Sequence, residues 1–298
     1  MTRTWPTAGW AKKRPIKLLS RCSPISIAHP SLAPEHGSTQ SDFAIDRHIQ
    51  VTLHDEQRQT LTGPDGLPVL TYVQGTRDGH PWADLAEVVG PDPVPSILTS
   101  MSGWAVSGSV ELGEQLMQHG ARVMRHAHSM RFDLVSGPSP SEWSTINLPD
   151  GLRIAPCDRP ARDLFPAWRA AFSPEHPDHS HGSDEQALDT QLAPLLTGEV
   201  LGPVMPCSTL AIDEADRVIA GVIITDRDGL PWIATVFRRP DPRYAGLGSV
   251  LLRRMLADAA SCGLTEMALV VSDGNRARHL YEKLGFELTS TSLTVLVP

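Results

Sequence analysis

The sequence predicts an α/β (α+β) fold in which helices flank a mixed sheet. Three observations carry this. Three strands joined by short polar turns run from Ser208 to Phe237, which is hairpin chemistry. A glycine-containing segment then leads from the last of them into an amphipathic helix. A continuous apolar strand, a second amphipathic helix and a closing strand fill Met267 to Val297.

The elements follow in order. Residues 1–40 are rich in Pro, Ser, Lys and Arg without periodicity and read as a disordered tail. Residues 41–136 read as a small folded unit. Ser136-Gly137-Pro138-Ser139-Pro140-Ser141 marks a linker placed over 137–150. The second unit, 151–298, opens with a helix from Ala161 to Phe172 bearing Leu164, Phe165, Trp168 and Phe172 on one face. A Pro- and His-rich loop, Ser173 to Asp184, leads to a second helix, Glu185 to Leu196. Strands are expected at Ser208–Ile212, Arg217–Thr225 and Pro231–Phe237, and a helix at Gly248–Ser261 whose apolar face is Leu251, Leu252, Met255, Leu256, Ala259 and Cys262. Gly263 stops that helix. Met267–Val271, a helix from Asn275 to Leu284 and a strand from Leu288 complete the order αα-βββ-α-β-α-β.

Composition narrows the functions. The formal net charge of −8 repels phosphate backbones, so nucleic acid is not an expected partner. No apolar run nears the roughly 20 residues that span a bilayer, and the basic front of the chain lacks a signal-peptide core, so no membrane is expected and the location reads as cytoplasmic. Cys22, Cys157, Cys207 and Cys262 are scattered and read as idle thiols rather than a disulfide or zinc framework.

Arg243-Tyr244-Ala245-Gly246-Leu247-Gly248 sits between a strand and a helix. A helix N-terminus offers unpaired N–H groups, and glycines let backbone approach a phosphate. Arg238, Arg239 and Arg243 add charge for a diphosphate. A dinucleotide fingerprint fails because Leu251 stands where a third glycine belongs, and Gly248-Ser249-Val250 is not a P-loop ending. The alternative is a plain glycine turn capping a helix.

Arg243, Gly246 and Gly248 fit Arg/Gln-x-x-Gly-x-Gly/Ala, and Asn275-Arg276-Ala277-Arg278-His279-Leu280-Tyr281-Glu282-Lys283-Leu284-Gly285-Phe286 fits N-x-A-x-x-L-Y-E-x-L-G-F. Together they resemble the GNAT superfamily of N-acetyltransferases over about residues 152–298. The resemblance implies a mostly antiparallel central sheet and acetyl-CoA as co-substrate. It implies that the amides around Tyr244, Ala245, Gly246, Leu247, Gly248 and Ser249 hold the pyrophosphate. Val236 and Phe237 would offer main-chain contacts to pantetheine, with Asn275 bonding the same arm. Tyr281 would protonate the leaving thiolate.

An attacking amine must also lose a proton. The strand Trp232–Phe237 carries no glutamate, so the candidate bases are Glu175, His176, Asp178, His179, His181, Asp226 and Asp228, with His179 and Glu175 ranked first. Tyr281 also suits a core position, and Asn275 a helix cap. The histidine loop also has permissive metal-ligand spacing, but a polar lid fits it better and no metal is expected. Trp168 and Trp232 read as packing, Trp232 also as a wall of an acceptor pocket.

Ser107 and Gly120 repeat the spacing of Ser272 and Gly285, both at an offset of 165 (272 − 107 = 285 − 120). Residues 41–136 therefore read as a degenerate copy of the same fold that has lost its Asn and Tyr, with no glycine signature at Asp78 to Pro81, where the offset places one. This layout resembles two-lobed acetyltransferases. The expected function is acetyl transfer to a primary amine of a small molecule by a monomer or homodimer. The alternatives are an acyl-CoA sensor or scaffold without turnover, and metal-based hydrolysis at the histidine loop.

Overall fold

The structure, a computed structural model, describes residues 58–77, 79–137, 141–179 and 182–298. The tail over 1–40, residues 41–57 of the first unit and the candidate base His181 lie outside them.

Eleven strands form one sheet. The first half of the chain supplies β1 (Arg58–Thr62), β2 (Pro68–Arg77), β3 (His80–Val88), helix α1 (Pro93–Ser100), β4 (Ala105–Ser109), α2 (Val110–Gln118) and β5 (Arg122–Asp133). The second half supplies β6 (Leu152–Pro156), helix α3 (Ala161–Ala171) and α4. The last runs through Asp184–Ala187, Leu188–Leu192 and Ala193–Thr197. Then come β7 (Thr209–Asp213), β8 (Val218–Arg227), β9 (Leu230–Arg238), α5 (Leu247–Ser261), β10 (Glu266–Ser272), α6 (Ala277–Leu284) and β11 (Glu287–Leu296). The middle of α4 widens into a π-turn just before Pro194, whose ring cannot fit an α-helical i→i−4 arrangement. The edge strand β6 is short and ends at Pro156, and it adds to the strand order read from sequence.

The two halves share one plan. β2 and β8 each span ten residues, β3 and β9 nine, and both pairs start 150 residues apart (218 − 68 = 230 − 80). β5 and β11 start 165 apart (287 − 122). The change falls across the first helix: α1 has 8 residues where α5 has 15. The counterpart of the glycine loop is therefore Val89–Asp92, which follows β3, and not Asp78–Pro81, of which the described Gly79–Pro81 lie where β3 begins. The helix that follows begins with prolines at 93 and 95, which remove backbone donors, and a Cβ on Gly90 would lie 2.2 Å from the Pro68 carbonyl oxygen.

The strand order is β1-β2-β3-β4-β11-β5-β10-β9-β8-β7-β6. Each half thus gives its last strand to the other. β5 lies antiparallel to β10, with Ser272 opposite Ala127, and β11 lies antiparallel to β4. The cores follow the exchange. Met130, Phe132 and Leu134 of the first half are buried with Leu251, Met255, Tyr281 and Phe286 of the second. Leu293, Val295 and Val297 are buried with Leu70, Ile97, Leu112 and Leu116 of the first. Gly113 on α2 lets Leu293 pack there, since a Cβ would come within 2.9 Å of the leucine Cβ. The segment read as a linker is also structured: Ser141–Thr145 makes a 3-10 turn, and Trp143 is buried in the α5 core.

Among the described residues no helix is long and apolar enough to cross a membrane. Burial raises the thiols of Cys157 and Cys207 to about 11, while Cys262 is exposed. Thiolate is the reactive form. Iodoacetamide at neutral pH should therefore label Cys262 well before Cys157 and Cys207, as read by peptide mass mapping. Equal labelling of the three in the folded protein would contradict this burial.

Candidate functional site

The site begins where two parallel strands part. β9 and β10 share a single register pair, Trp232 with Ala268, and share none toward Arg238 and Ser272. In the first half the equivalent β3 and β4 remain paired from Trp82–Ala105 to Ala86–Gly108. Gly108 permits this, because a Cβ there would meet the Ala86 carbonyl at 2.9 Å. One cleft is open and its counterpart is zipped.

The glycine loop closes one side of the open cleft. Asp241 accepts from the Arg243 amide, and a 3-10 turn at Pro242–Tyr244 leads to Gly246 (φ 80), the N-cap of α5. That left-handed φ suits glycine. The amides of Tyr244, Ala245 and Ser249 are bonded to the carbonyls of Asp241, Pro242 and Gly246. Among the described residues Gly246, Leu247 and Gly248 keep the unpartnered amides that a helix start provides. A Cβ on Gly248 would meet nothing within 4 Å, and its φ is ordinary. Neither packing nor backbone strain calls for glycine there; room in front of the helix does. These residues fit a pyrophosphate.

The arginines are placed differently from the reading that all three neutralise it. Arg238 Nη1 donates to the carbonyls of Arg239 (2.7 Å) and Asp241 (3.0 Å), bracing the loop. Arg239 Nε donates to the Val218 carbonyl. Arg243 is exposed and paired with Asp241 at 2.6 Å, which holds that carboxyl below its usual range. Val236 and Phe237 lie on the parted stretch of β9; the Phe237 ring is buried against α3 and α4, with Gly221 making room for it.

On the other side, Asn275 Oδ1 accepts from the Ala277 amide at 2.8 Å, capping α6. Its Nδ2 donates to Asp178 Oδ2 at 2.9 Å. Tyr281 is buried in the core, edge-on to Phe286 with centroids 5.6 Å apart, and its hydroxyl makes no hydrogen bond among the described residues. Burial, with the Asp178 charge nearby, pushes its phenol well above the ordinary range, so it stays protonated at neutral pH.

Among the described candidate bases, only Asp178 bonds Asn275 and places its charge near Tyr281. Its Oδ1 also accepts from the Ser272 hydroxyl at the end of β10. Glu175 faces solvent and accepts from Ser173, which lowers its pKa. His179 Nδ1 donates to the Phe172 carbonyl at 2.8 Å. Asp226 and Asp228 stay at the β8–β9 turn. The Trp232 ring is covered by the Arg227 guanidinium at 4.6 Å. Among the described residues, no three His, Cys, Asp or Glu side chains gather to hold a metal.

Sequence reasoning missed Arg125. It comes from β5, and its Nε donates to Ser272 Oγ at 3.2 Å. Behind it, His128 Nε2 meets Asp273 at 3.0 Å, and its Nδ1 meets Thr291 at 3.0 Å. Nothing local marks these residues, because β5 lies in the half without the motifs. The one available sign is the polar run Arg125, His126, His128 and Ser129 inside a strand that ends in core residues Met130 and Phe132.

The profile of the acetyltransferase (GNAT) family matches residues 162–286. No curated protein matches the chain by sequence. A GCN5-related N-acetyltransferase from Sphaerobacter thermophilus aligns over 83% of this chain and 84% of its own, at 17% identity and a TM-score of 0.56. One from Kribbella flavida aligns over 86% and 97%, at 18% identity and a TM-score of 0.52. A tandem GNAT protein from the clavulanic acid biosynthesis pathway aligns over 78% and 80%, at 12% identity and a TM-score of 0.51. These likenesses establish a common fold.

Proposed function

We propose, from the match of residues 162–286 to the acetyltransferase (GNAT) family, that this chain transfers an acetyl group from acetyl-CoA to a primary amine of a small molecule. The observation that carries this reading is the cleft between β9 and β10. It is open in one half and zipped in the other; the unpartnered amides of α5 follow β9, and Asp178, bonded to Ser272 at the end of β10 and to Asn275, places its charge near Tyr281. Acetyl-CoA would supply the activated acetyl group. Gly246, Leu247 and Gly248 would hold its pyrophosphate, with Val236, Phe237 and Asn275 along the pantetheine arm. Tyr281, kept protonated by burial, would protonate the departing thiolate. The first half binds no cofactor in this reading and serves the second through its strand. The acidic chain acts on a small amine, with no nucleic acid or membrane partner.

Calorimetric titration of acetyl-CoA tests the cofactor site. Wild type should bind with micromolar affinity. Gly248→Asp should weaken binding about 100-fold, since it puts a carboxylate where a phosphate belongs, about 3 kcal/mol by the usual conversion. The open space at Gly248 lets the variant fold. A well-folded wild type that binds no acetyl-CoA would overturn the reading.

A further inference from the structure

Asp178 is the one carboxylate of the histidine loop held against Ser272 at the end of β10, with its side chain about one-third exposed (31%). The loop presents it rigidly. His176 N–H donates to the Ser173 carbonyl and His179 N–H to the His176 carbonyl, at 2.8 and 2.9 Å. The Asp178 amide donates to His176 Nδ1 at 3.1 Å, and the His176 ring stands edge-on to Phe172. Two segments far from this loop in sequence fix the carboxylate, one directly and the other through the first. Ser272 donates to one oxygen and Asn275 to the other, and Arg125 from the exchanged strand donates to the same serine hydroxyl. Because Arg125 Nε can only donate, it occupies a lone pair of Ser272 and leaves the hydroxyl proton free to point at Asp178. Tyr281 feels the Asp178 charge from α6. The titratable groups around Asp178 are His176 and His179 on its loop, Arg125 on β5 and Tyr281 on α6.

We infer that Asp178 takes the proton from the attacking ammonium, and that Arg125, delivered by the first half's strand, positions it through Ser272. The inference rests on the acetyl-transfer reading above. The acceptor ammonium gives one proton to the Asp178 carboxylate. The freed nitrogen lone pair forms the C–N bond to the thioester carbonyl carbon. The C–S bond breaks with its electron pair going to sulfur, and the Tyr281 hydroxyl protonates that sulfur. The second nitrogen proton leaves to water, and the Asp178 proton restores Tyr281. The sum is an ammonium and acetyl-CoA giving an amide, CoA thiol and one proton. Asp178 is a catalytic residue in this scheme; Arg125 and Ser272 are positioning residues. It follows that the second half's active site is incomplete without the first half.

The test uses full-length wild type, Asp178→Asn, Ser272→Ala and Arg125→Met, with acetyl-CoA and a set of linear primary alkylamines and diamines. Asp178→Asn should lower kcat by about 100-fold near neutrality. That deficit should shrink below about tenfold near pH 10, where an alkylamine loses its own proton. With trifluoroethylamine, whose nitrogen is already unprotonated at neutral pH, the deficit should nearly vanish. Ser272→Ala and Arg125→Met should show smaller deficits with the same pH trend. A deficit that is constant across pH and across both amine classes, or is below about threefold, overturns the assignment while leaving acetyl transfer standing. If Asp178→Asn does not fold, the trend in Ser272→Ala and Arg125→Met decides by the same criteria. Acetyl-CoA binding by a wild type that turns over no amine overturns amine acetylation itself, and the assignment with it.

Discussion

Replacing Tyr281 with phenylalanine should cut acetyl transfer by about 10²–10³-fold while leaving acetyl-CoA affinity within about twofold. Two features separate these effects. The ring fills a buried core position against Phe286, and phenylalanine keeps that packing. The hydroxyl has no hydrogen-bond partner among the described residues, so its loss leaves no orphaned group behind. What is lost is the hydroxyl proposed as the proton donor, which burial keeps neutral. The loss should fall on kcat rather than on KM for acetyl-CoA, because the donor acts only as the C–S bond breaks. Steady-state kinetics with calorimetry checks both quantities. Unchanged turnover would move the acid elsewhere. A protein that binds acetyl-CoA identically in both forms, with no turnover in either, would be a sensor.

The largest effect on stability should come from Phe132→Ala. Phe132 belongs to β5 by sequence but to the second half's core by position, fully buried with its ring 5.2 Å from that of Phe286. Truncating such a side chain costs about 3–5 kcal/mol. For a folded unit of this size that lowers the melting temperature by roughly 10 °C. The exchange adds a sharper expectation: a change in the first half should unfold the second. Leu293→Ala should do the reverse, removing a second-half residue from the first half's core, at about 2–5 kcal/mol. Scanning calorimetry should show one transition shifted as a whole in both variants. Two transitions with only one displaced would show that the halves stand independently.

The helices around the glycine loop were legible because their signals are local. The apolar face of α5 repeats every three to four residues, and Gly263 and Gly285 close α5 and α6 in left-handed conformations. The hairpins of β7, β8 and β9 announce themselves by turn chemistry. Strand order was not legible. β5 and β11 carry interchangeable patterns, and nothing within either says whether its partner lies twenty residues away or more than a hundred. Their equivalence is what permits the exchange. The glycine offset misled for a related reason: a short α1 shifts the spacing upstream of itself only. In the site, motif residues Gly246, Gly248, Asn275 and Tyr281 stood out together. Asp178 was one acid or histidine among several in a loop, and only tertiary contacts select it. Arg125 had only the polar run of β5 to mark it, because its contact with Ser272 is set by pairing with a distant strand.

The exchanged strands also bear on how the chain is made. Domains emerging from the ribosome commonly close in order, N-terminal first. Here β4 leaves the exit tunnel well before its neighbour β11, which starts 182 residues later in the chain (287 − 105). At about 5–20 residues per second the interval is roughly 10–40 s. Through that time β4 presents an unpaired edge, and β5 waits for β10. A nascent chain halted anywhere before Glu287 would lack a complete sheet in its first half. The first half therefore depends on translation reaching β11, or on a chaperone that shields those edges, more than a self-contained half would.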